Sequence, residues 1–139
     1  MLVLDTNHIS LLGYAIPDGA RLLQRLSAAG EDAVTTVISL EEQMRGWLAA
    51  INRTNDVHQQ FFAYDRLKKR TEFMAGWVML PWDEEAANRF VSLRRQGIRI
   101  GTLDLKIACI TLAHDATLLT RNLTDFRQVP GLRMENWLD

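Results

Sequence analysis

Short apolar runs that alternate with longer helical stretches constrain the fold of this chain more than any other feature of its sequence. Residues 1–4 and the β-branched run at 33–38 are too short for helices and predict buried strands. Each is followed by a stretch that predicts a helix, such as residues 39–51, where apolar residues keep helical spacing. Strands that alternate with helices predict an α/β fold around a mostly parallel sheet.

The alternation continues to the end of the chain. Further strands are predicted at residues 78–80, 116–120 and 132–134, which gives four or five in all. Further helices are predicted at residues 17–30, 83–96 and 102–113, the last two capped by Asp83 and Thr102. Residues 52–77 are mostly helical in pattern. Together with the end of the preceding helix they are expected to form a helical arm at about residues 43–77. We expect residues 1–139 to form a single domain.

Composition excludes several classes of function. The net charge of −1 argues against a protein that holds nucleic acid by bulk charge, so such a partner would need local cations or metal ions. A single cysteine, Cys109, excludes an intramolecular disulfide and fits a reducing compartment. No apolar run approaches the length of about 18 residues that a membrane span needs, and the first residues lack a secretion signal. We therefore expect a cytoplasmic protein without a membrane partner.

Acidic and amide side chains follow the predicted strands, where ligands of parallel sheets bind. They are Asp5 after the first strand, Glu41 and Glu42 after the second, and Asn122 and Asp125 after the fourth, and Asp104 in the first turn of a helix can join them. Several have simpler explanations. Glu42 stands three residues after Ser39, a capping-box spacing, the helix dipole alone favours Asp104, and Asp125 could cap a turn. Asp5 is different, because a carboxylate beside a buried strand is costly to desolvate unless something pairs with it.

The possible convergence of these acids points to a cation. Two carboxylates about 4 Å apart repel by about 4 kcal/mol at an effective dielectric constant of about 20. Three or four of them therefore share a cleft only with protons or a positive ion. Oxygen ligands without nearby histidine or cysteine match Mg²⁺ or Mn²⁺. Such a site suits hydrolysis of a phosphodiester by a metal-activated water.

Four motifs in the expected order resemble a known family. They are Leu-Val-Leu-Asp-Thr-Asn at 2–7, Ile-Ser-Leu-Glu-Glu-Gln-Met-Arg-Gly at 38–46, Ile-Gly-Thr-Leu-Asp-Leu-Lys-Ile-Ala at 100–108 and Leu-Thr-Arg-Asn-Leu-Thr-Asp-Phe at 119–126. Each motif is weak alone, but together they resemble the PIN-domain ribonucleases, and among these the VapC-type toxins of bacterial toxin–antitoxin pairs. The resemblance implies a three-layer α/β/α sandwich with a central, mostly parallel sheet.

The resemblance also assigns roles to residues. It implies that Asp5, Glu42 and Asp104 are catalytic metal ligands and that Glu41 is not. Asp125 ranks above Asn122 as a fourth ligand, and Asn122 could bind through its amide oxygen or through water. The side chains expected to orient the carboxylates are Thr6, Asn7 and Thr120.

Members of this family cut RNA internally, often transfer or ribosomal RNA, and are silenced by an antitoxin. We expect the same partners here, together with a homodimer. The basic residues Arg94, Arg95 and Arg99 precede Asp104 and could bind the RNA backbone, or they could be a solvated helix end. The charge run at 65–72 predicts a solvated helical face, with RNA contact as the alternative. The arm is rich in aromatic residues and is expected to bind the antitoxin and part of a homodimer, unless all its rings lie in the core.

Two other functions compete with this one. A phosphatase of the haloacid-dehalogenase type would use Asp5 as a nucleophile, but it needs a second acid at the position of Asn7. The second competing function is a catalytically weak PIN-like module that only binds RNA or protein. Asn122, at a position where relatives often have an acid, would be the first sign of lost catalysis. The intact acids Asp5, Glu42 and Asp104 speak against it.

Overall fold

Five short parallel strands form the centre of the protein. The computed structural model describes residues 1–139, and the strands are β1 (Leu2–Leu4), β2 (Ala33–Thr36), β3 (Met79–Leu80), β4 (Thr117–Leu119) and β5 (Arg133–Glu135). Their order is β3-β2-β1-β4-β5, and all neighbours are parallel. The first strand of the chain therefore lies in the middle of the sheet, between β2 and β4.

Seven helices surround the sheet. They are α1 (Thr6–Leu12), α2 (Pro17–Ala29), α3 (Val37–Ile51), α4 (Val57–Ala75), α5 (Glu84–Arg95), α6 (Thr102–Ala113) and α7 (Leu123–Phe126). None of them combines the length and the hydropathy that crossing a bilayer requires.

Two apolar clusters cover the two faces of the sheet. Val3 and Leu118 point to one face and pack with α5 and α6, whereas Leu2, Leu4 and Leu119 point to the other and pack with α1, α2 and α4. Successive strand residues point to opposite faces, so that even three-residue strands serve both layers. The predicted three-layer α/β/α arrangement is confirmed.

Three local predictions were wrong. Directly after the first strand a polar turn was expected at residues 5–7, but Asp5 caps α1, which begins at once at Thr6. The second strand ends at Thr36, whose side chain accepts a hydrogen bond from the amide of Ser39. Ser39 is therefore inside α3, and the capping-box explanation of Glu42 fails. Helix α6 is capped by Gly101 without a side-chain hydrogen bond, one residue before the predicted cap.

The predicted arm consists of α3 and α4, which pack against each other. Phe73 and Trp77 pack against the core, but Phe61 and Phe62 are 75% and 62% exposed. Not all rings of the arm therefore lie in the core. The prediction of a solvated charged face holds for Lys68 and Lys69 and is wrong for Arg70, which is only 6% exposed.

Candidate metal centre

Asp5 lies at the end of the central strand and is almost completely buried. Its Oδ1 accepts a hydrogen bond from the amide of Thr6 (2.7 Å), and its Oδ2 accepts one from the hydroxyl of Thr120 (2.7 Å). Burial raises the pKa of this carboxyl, while the two hydrogen bonds act in the opposite direction. The strand end and these two donors fix both oxygens of Asp5 in place.

Glu42 reaches the same region from the second turn of α3. The Thr6 hydroxyl donates to its Oε1 (3.0 Å) and also lies 3.1 Å from the hydroxyl of Ser39. Burial is the main cause that raises the pKa of Glu42, and the neighbouring acids add to it. Glu41 instead forms an ion pair with Arg45 one turn along α3. The two adjacent glutamates thus have different environments, and only Glu42 joins the cluster.

Asp104 enters from the first turn of α6 and is linked to a fourth acid through an amide. The side-chain nitrogen of Asn122 donates to Asp104 Oδ2 (3.3 Å) and to Asp125 Oδ2 (3.0 Å). The amide oxygen of Asn122 accepts from the backbone N–H of Asp125 (3.4 Å), because Asn122 caps α7. Burial and then the charge of Asp5 raise the pKa of Asp104. Asn122 therefore contacts Asp104 through a hydrogen-bond donor.

One carboxylate oxygen from each of Asp5, Glu42 and Asp104 lies within 4.8 Å of the other two. No lysine or arginine forms an ion pair with any of the three, and the pKa of each is raised. Gathered carboxylates without a counter-charge are the donor set that hard divalent cations such as Mg²⁺ and Mn²⁺ use. The residues present therefore fit such an ion.

The other predicted site residues divide into two groups. Thr6 and Thr120 contact the carboxylates, whereas Asn7 is exposed and its side chain makes no hydrogen bond. The basic residues lie near the start of α6: Arg94 donates to the carbonyl of Ile98 (2.8 Å), and Arg95 and Arg99 are exposed.

Two contacts of the site were missed from the sequence. Ser39 lies beside Thr6 because α3 begins two residues earlier than predicted, and Asn122 bridges Asp104 to Asp125. The capping role of Asn122 could have been found, because an asparagine ahead of a helical turn is a helix-cap pattern, but its contact with Asp104 leaves no such pattern. The contact between Ser39 and Thr6 depends on where the second strand ends, and no local sequence pattern marks that position.

Comparison with known proteins decides the family. The model of the PIN-domain family matches residues 2–132 of the chain. The chain belongs to the PIN-domain family. Among curated PIN relatives, it is similar to ribonuclease VapC2 of Rickettsia felis, with 44% identity over 45 residues. That match covers 32% of this chain and spans only about a third (34%) of the relative's length.

Solved structures extend the likeness over the whole chain. The crystal structure of VapBC2 from Rickettsia felis, bound to a DNA fragment of its promoter, is similar with a TM-score of 0.71, 25% identity and 98% coverage of both chains. The structure of VapBC-1 from nontypeable Haemophilus influenzae has a TM-score of 0.66 and 26% identity, and covers 99% of this chain and 98% of its own. The fold and the order of the elements are thus those of PIN domains.

Proposed function

We propose that this chain is a metal-dependent endoribonuclease and the toxin of a toxin–antitoxin pair, acting in the cytoplasm on transfer or ribosomal RNA. One observation carries the proposal: three carboxylate oxygens lie within 4.8 Å of one another at the carboxyl edge of a PIN-domain sheet. The names of the similar proteins, ribonuclease VapC and VapBC, support the nuclease and toxin assignments.

Asp5, Glu42 and Asp104 would hold Mg²⁺ or Mn²⁺, with Asp125 supporting Asp104 through Asn122. An ion held by these residues would supply a water of lowered pKa as the nucleophile and positive charge for the phosphodiester. The hydroxyls of Thr120 and Thr6 keep the oxygens of Asp5 and Glu42 in position. The arginines at 94, 95 and 99 supply positive charge near the start of α6, which an RNA backbone needs.

The exposed rings of the arm support a protein partner. Phe61, Phe62 and Tyr64 lie on α4 and are largely open to solvent, with Leu48 exposed on the neighbouring α3. Exposed apolar side chains on this scale are typical of interaction surfaces. We assign the α3–α4 surface to an antitoxin, with part of it covered in a homodimer.

The test compares two neighbouring glutamates. Purified wild type, Glu42→Gln, Asp104→Asn and Glu41→Gln are incubated with transfer and ribosomal RNA in Mg²⁺ or Mn²⁺, and cut sites are mapped from transcript ends. We expect Glu42→Gln and Asp104→Asn to cut at least about 100-fold more slowly, because each loses a ligand charge. Glu41→Gln should stay within about twofold of wild type, because it loses only an exposed ion pair.

Equal cutting of RNA by all four preparations would refute the proposal, because a contaminating nuclease would then account for the cleavage. Equal loss in Glu41→Gln and Glu42→Gln would refute the assignment of the ligand. Transcript ends mapped after inducible expression of wild type and Asp104→Asn in bacteria identify the RNA, and growth arrest by wild type alone supports the toxin assignment.

A catalytically weak binding module is the second candidate. Asn122 favours it, because it stands where an acid could supply further negative charge. Such a module would bind RNA or protein equally well as wild type and as Asp104→Asn, and it would cut no RNA with either metal. The cutting assay above separates the two functions.

A further inference from the structure

The protein has a cavity apart from the candidate metal centre. It has a volume of about 280 Å³ and lies between the C-terminal end of α1 and α4. Its walls combine three aromatic rings and three cationic side chains with one acid: Tyr14, Phe62, Phe73, Arg66, Lys69, Arg70 and Asp65. The metal-centre acids do not line this cavity, so its chemistry needs an explanation of its own.

Arg70 forms the most unusual part of the wall. Its side chain is almost completely buried, and its guanidinium lies against the rings of Tyr14 and Phe73, 5.0 and 4.6 Å from their centroids. Its Nε donates to Gln43 Oε1 (3.0 Å) and its Nη2 to the carbonyl of Ser10 (3.3 Å), but its Nη1 has no hydrogen-bond partner. No carboxylate balances its charge. A buried cation without a counter-ion is costly and calls for an anion.

The other cations of the cavity differ in their pairing. Lys69 forms an ion pair with Asp65 (2.9 Å) and is neutralised. Arg66 has no carboxylate partner, and its guanidinium lies 4.9 Å from the ring centroid of Phe62. The cavity thus offers two uncompensated guanidinium groups among aromatic rings. Phosphate-binding cations interleaved with aromatic rings are the composition of sites for single-stranded nucleic acid.

The cavity and the metal centre share two helices. Thr6 and Ser10 of α1 and Gly13, which caps its C-terminal end, are spaced at i, i+4 and i+7. Thr6 contacts Glu42, whereas Ser10 and Gly13 contact Arg70. Seven residues of helix correspond to about 10 Å along the helix axis. On α3, Gln43, which holds Arg70, directly follows Glu42. The cavity therefore lies within a few nucleotides' reach of the acids.

We propose that this cavity binds a backbone phosphate of the RNA strand next to the cleavage position, between the guanidinium groups of Arg66 and Arg70. The inference rests on the proposed function, because it takes RNA as the substrate. RNA is favoured over an acidic protein segment because the acid cluster and the net charge of −1 repel phosphates, so that a strand at the cluster needs cations close by. Arg66 and Arg70 supply them on the helix face that leads to the cluster.

The test measures binding of a fluorescein-labelled single-stranded RNA of about 12 nucleotides by anisotropy, over a range of salt concentrations. EDTA removes metal, so that binding is measured without cleavage. The variants are Arg66→Gln and Gly13→Ala, because Arg70 is buried and its replacement could unfold the protein. Lys68→Gln is the matched control, since Lys68 lies in the same charge run, is exposed and pairs with Glu72.

We expect Arg66→Gln to weaken binding about tenfold, as the loss of one hydrogen bond to a charged group does. The slope of log K against log salt should fall by about 0.7, the value for one phosphate on a single strand. Gly13→Ala keeps every charge, but its Cβ would lie 1.6 Å from Arg70 Nη1 and must displace the guanidinium. It should also weaken binding, with thermal melting as the check that it is folded. Lys68→Gln should stay within about twofold of wild type.

Equal effects of Arg66→Gln and Lys68→Gln, or absence of RNA binding by wild type, would overturn the inference. The inference would also be overturned if the same variants weakened binding of an Asp-rich peptide and left RNA binding unchanged. That result would assign the cavity to a protein segment. Failure of the proposed function gives a different result: RNA binding that depends on Arg66, but no cleavage by wild type in Mg²⁺ or Mn²⁺.

Discussion

Replacing Asp104 with asparagine should stabilise the protein when no metal is present. Oxygens of Asp5, Glu42 and Asp104 lie within 4.8 Å of one another. At an effective dielectric constant of about 20, each ionised pair at that distance repels by about 3.5 kcal/mol. The variant removes two of the three repulsions and keeps an oxygen that can accept the hydrogen bond from Asn122.

The net gain is smaller than this sum, because Asp104 and Glu42 are half-buried and partial protonation relieves the repulsion. We expect an increase in the free energy of unfolding of about 1–2 kcal/mol, since solvent screens partly exposed charges. For a chain of this length, that corresponds to a rise in melting temperature of about 3–6 °C. Thermal melting of wild type and Asp104→Asn in EDTA measures it.

The pH dependence gives an independent sign. The pKa of all three carboxyls is raised in the folded protein, so the folded state holds more protons than the unfolded state above the ordinary carboxyl range. Wild-type stability should therefore fall as the pH rises through these raised pKa values, and the advantage of Asp104→Asn should open over the same range. Mn²⁺ should stabilise wild type more than the variant. A variant that melts at or below the wild-type temperature in EDTA at neutral pH would refute the reasoning.

Three further predictions concern other parts of the molecule. Thr120→Val, which removes the donor to Asp5, should lower the free energy of unfolding by about 2 kcal/mol in urea titrations; an unchanged midpoint would contradict this. His8 is buried and its pKa is lowered to about 4, so its contribution is complete above the ordinary histidine pKa and is lost as pH falls towards 4. Urea titrations at pH 7 and 5 should show a larger acid loss for wild type than for His8→Gln. Replacing Phe61 and Phe62 with serine should leave the melting temperature unchanged within about 2 °C and reduce self-association in sedimentation velocity; a large drop in melting temperature would place these rings in the core.

Much of the sheet could be predicted because apolar strand residues have few alternatives. The run Leu2–Leu4 is buried on both faces, and its position before Asp5 predicted an acid at a strand end. The limits of the helices were harder, because capping depends on single backbone angles. Thr36 takes an extended conformation and caps α3, although Ser39 is an equally suitable residue by type.

The candidate site was predictable in its acids and less so in its contacts. The convergence of Asp5, Glu42 and Asp104 follows from parallel strands whose ends meet at one edge, where helices α3 and α6 also begin. The burial of Arg70 could not be predicted, because it lies in a charge run whose neighbours Lys68 and Lys69 are exposed. Residues distant in sequence cover Arg70, among them Ser10, Gly13 and Gln43, and their approach follows from the packing of the helices.

The hydrogen bond from Thr120 to Asp5 joins residues 115 positions apart, across the central pair of strands β1 and β4. During synthesis, the amino-terminal hundred residues contain Asp5 and Glu42 but neither Asp104 nor the strand that completes the middle of the sheet. A nascent chain therefore has no assembled acid cluster until residues up to Thr120 have left the ribosome. The ribosome that synthesises the chain therefore does not meet an assembled acid cluster, and with it the proposed nuclease activity, during the first hundred residues of synthesis.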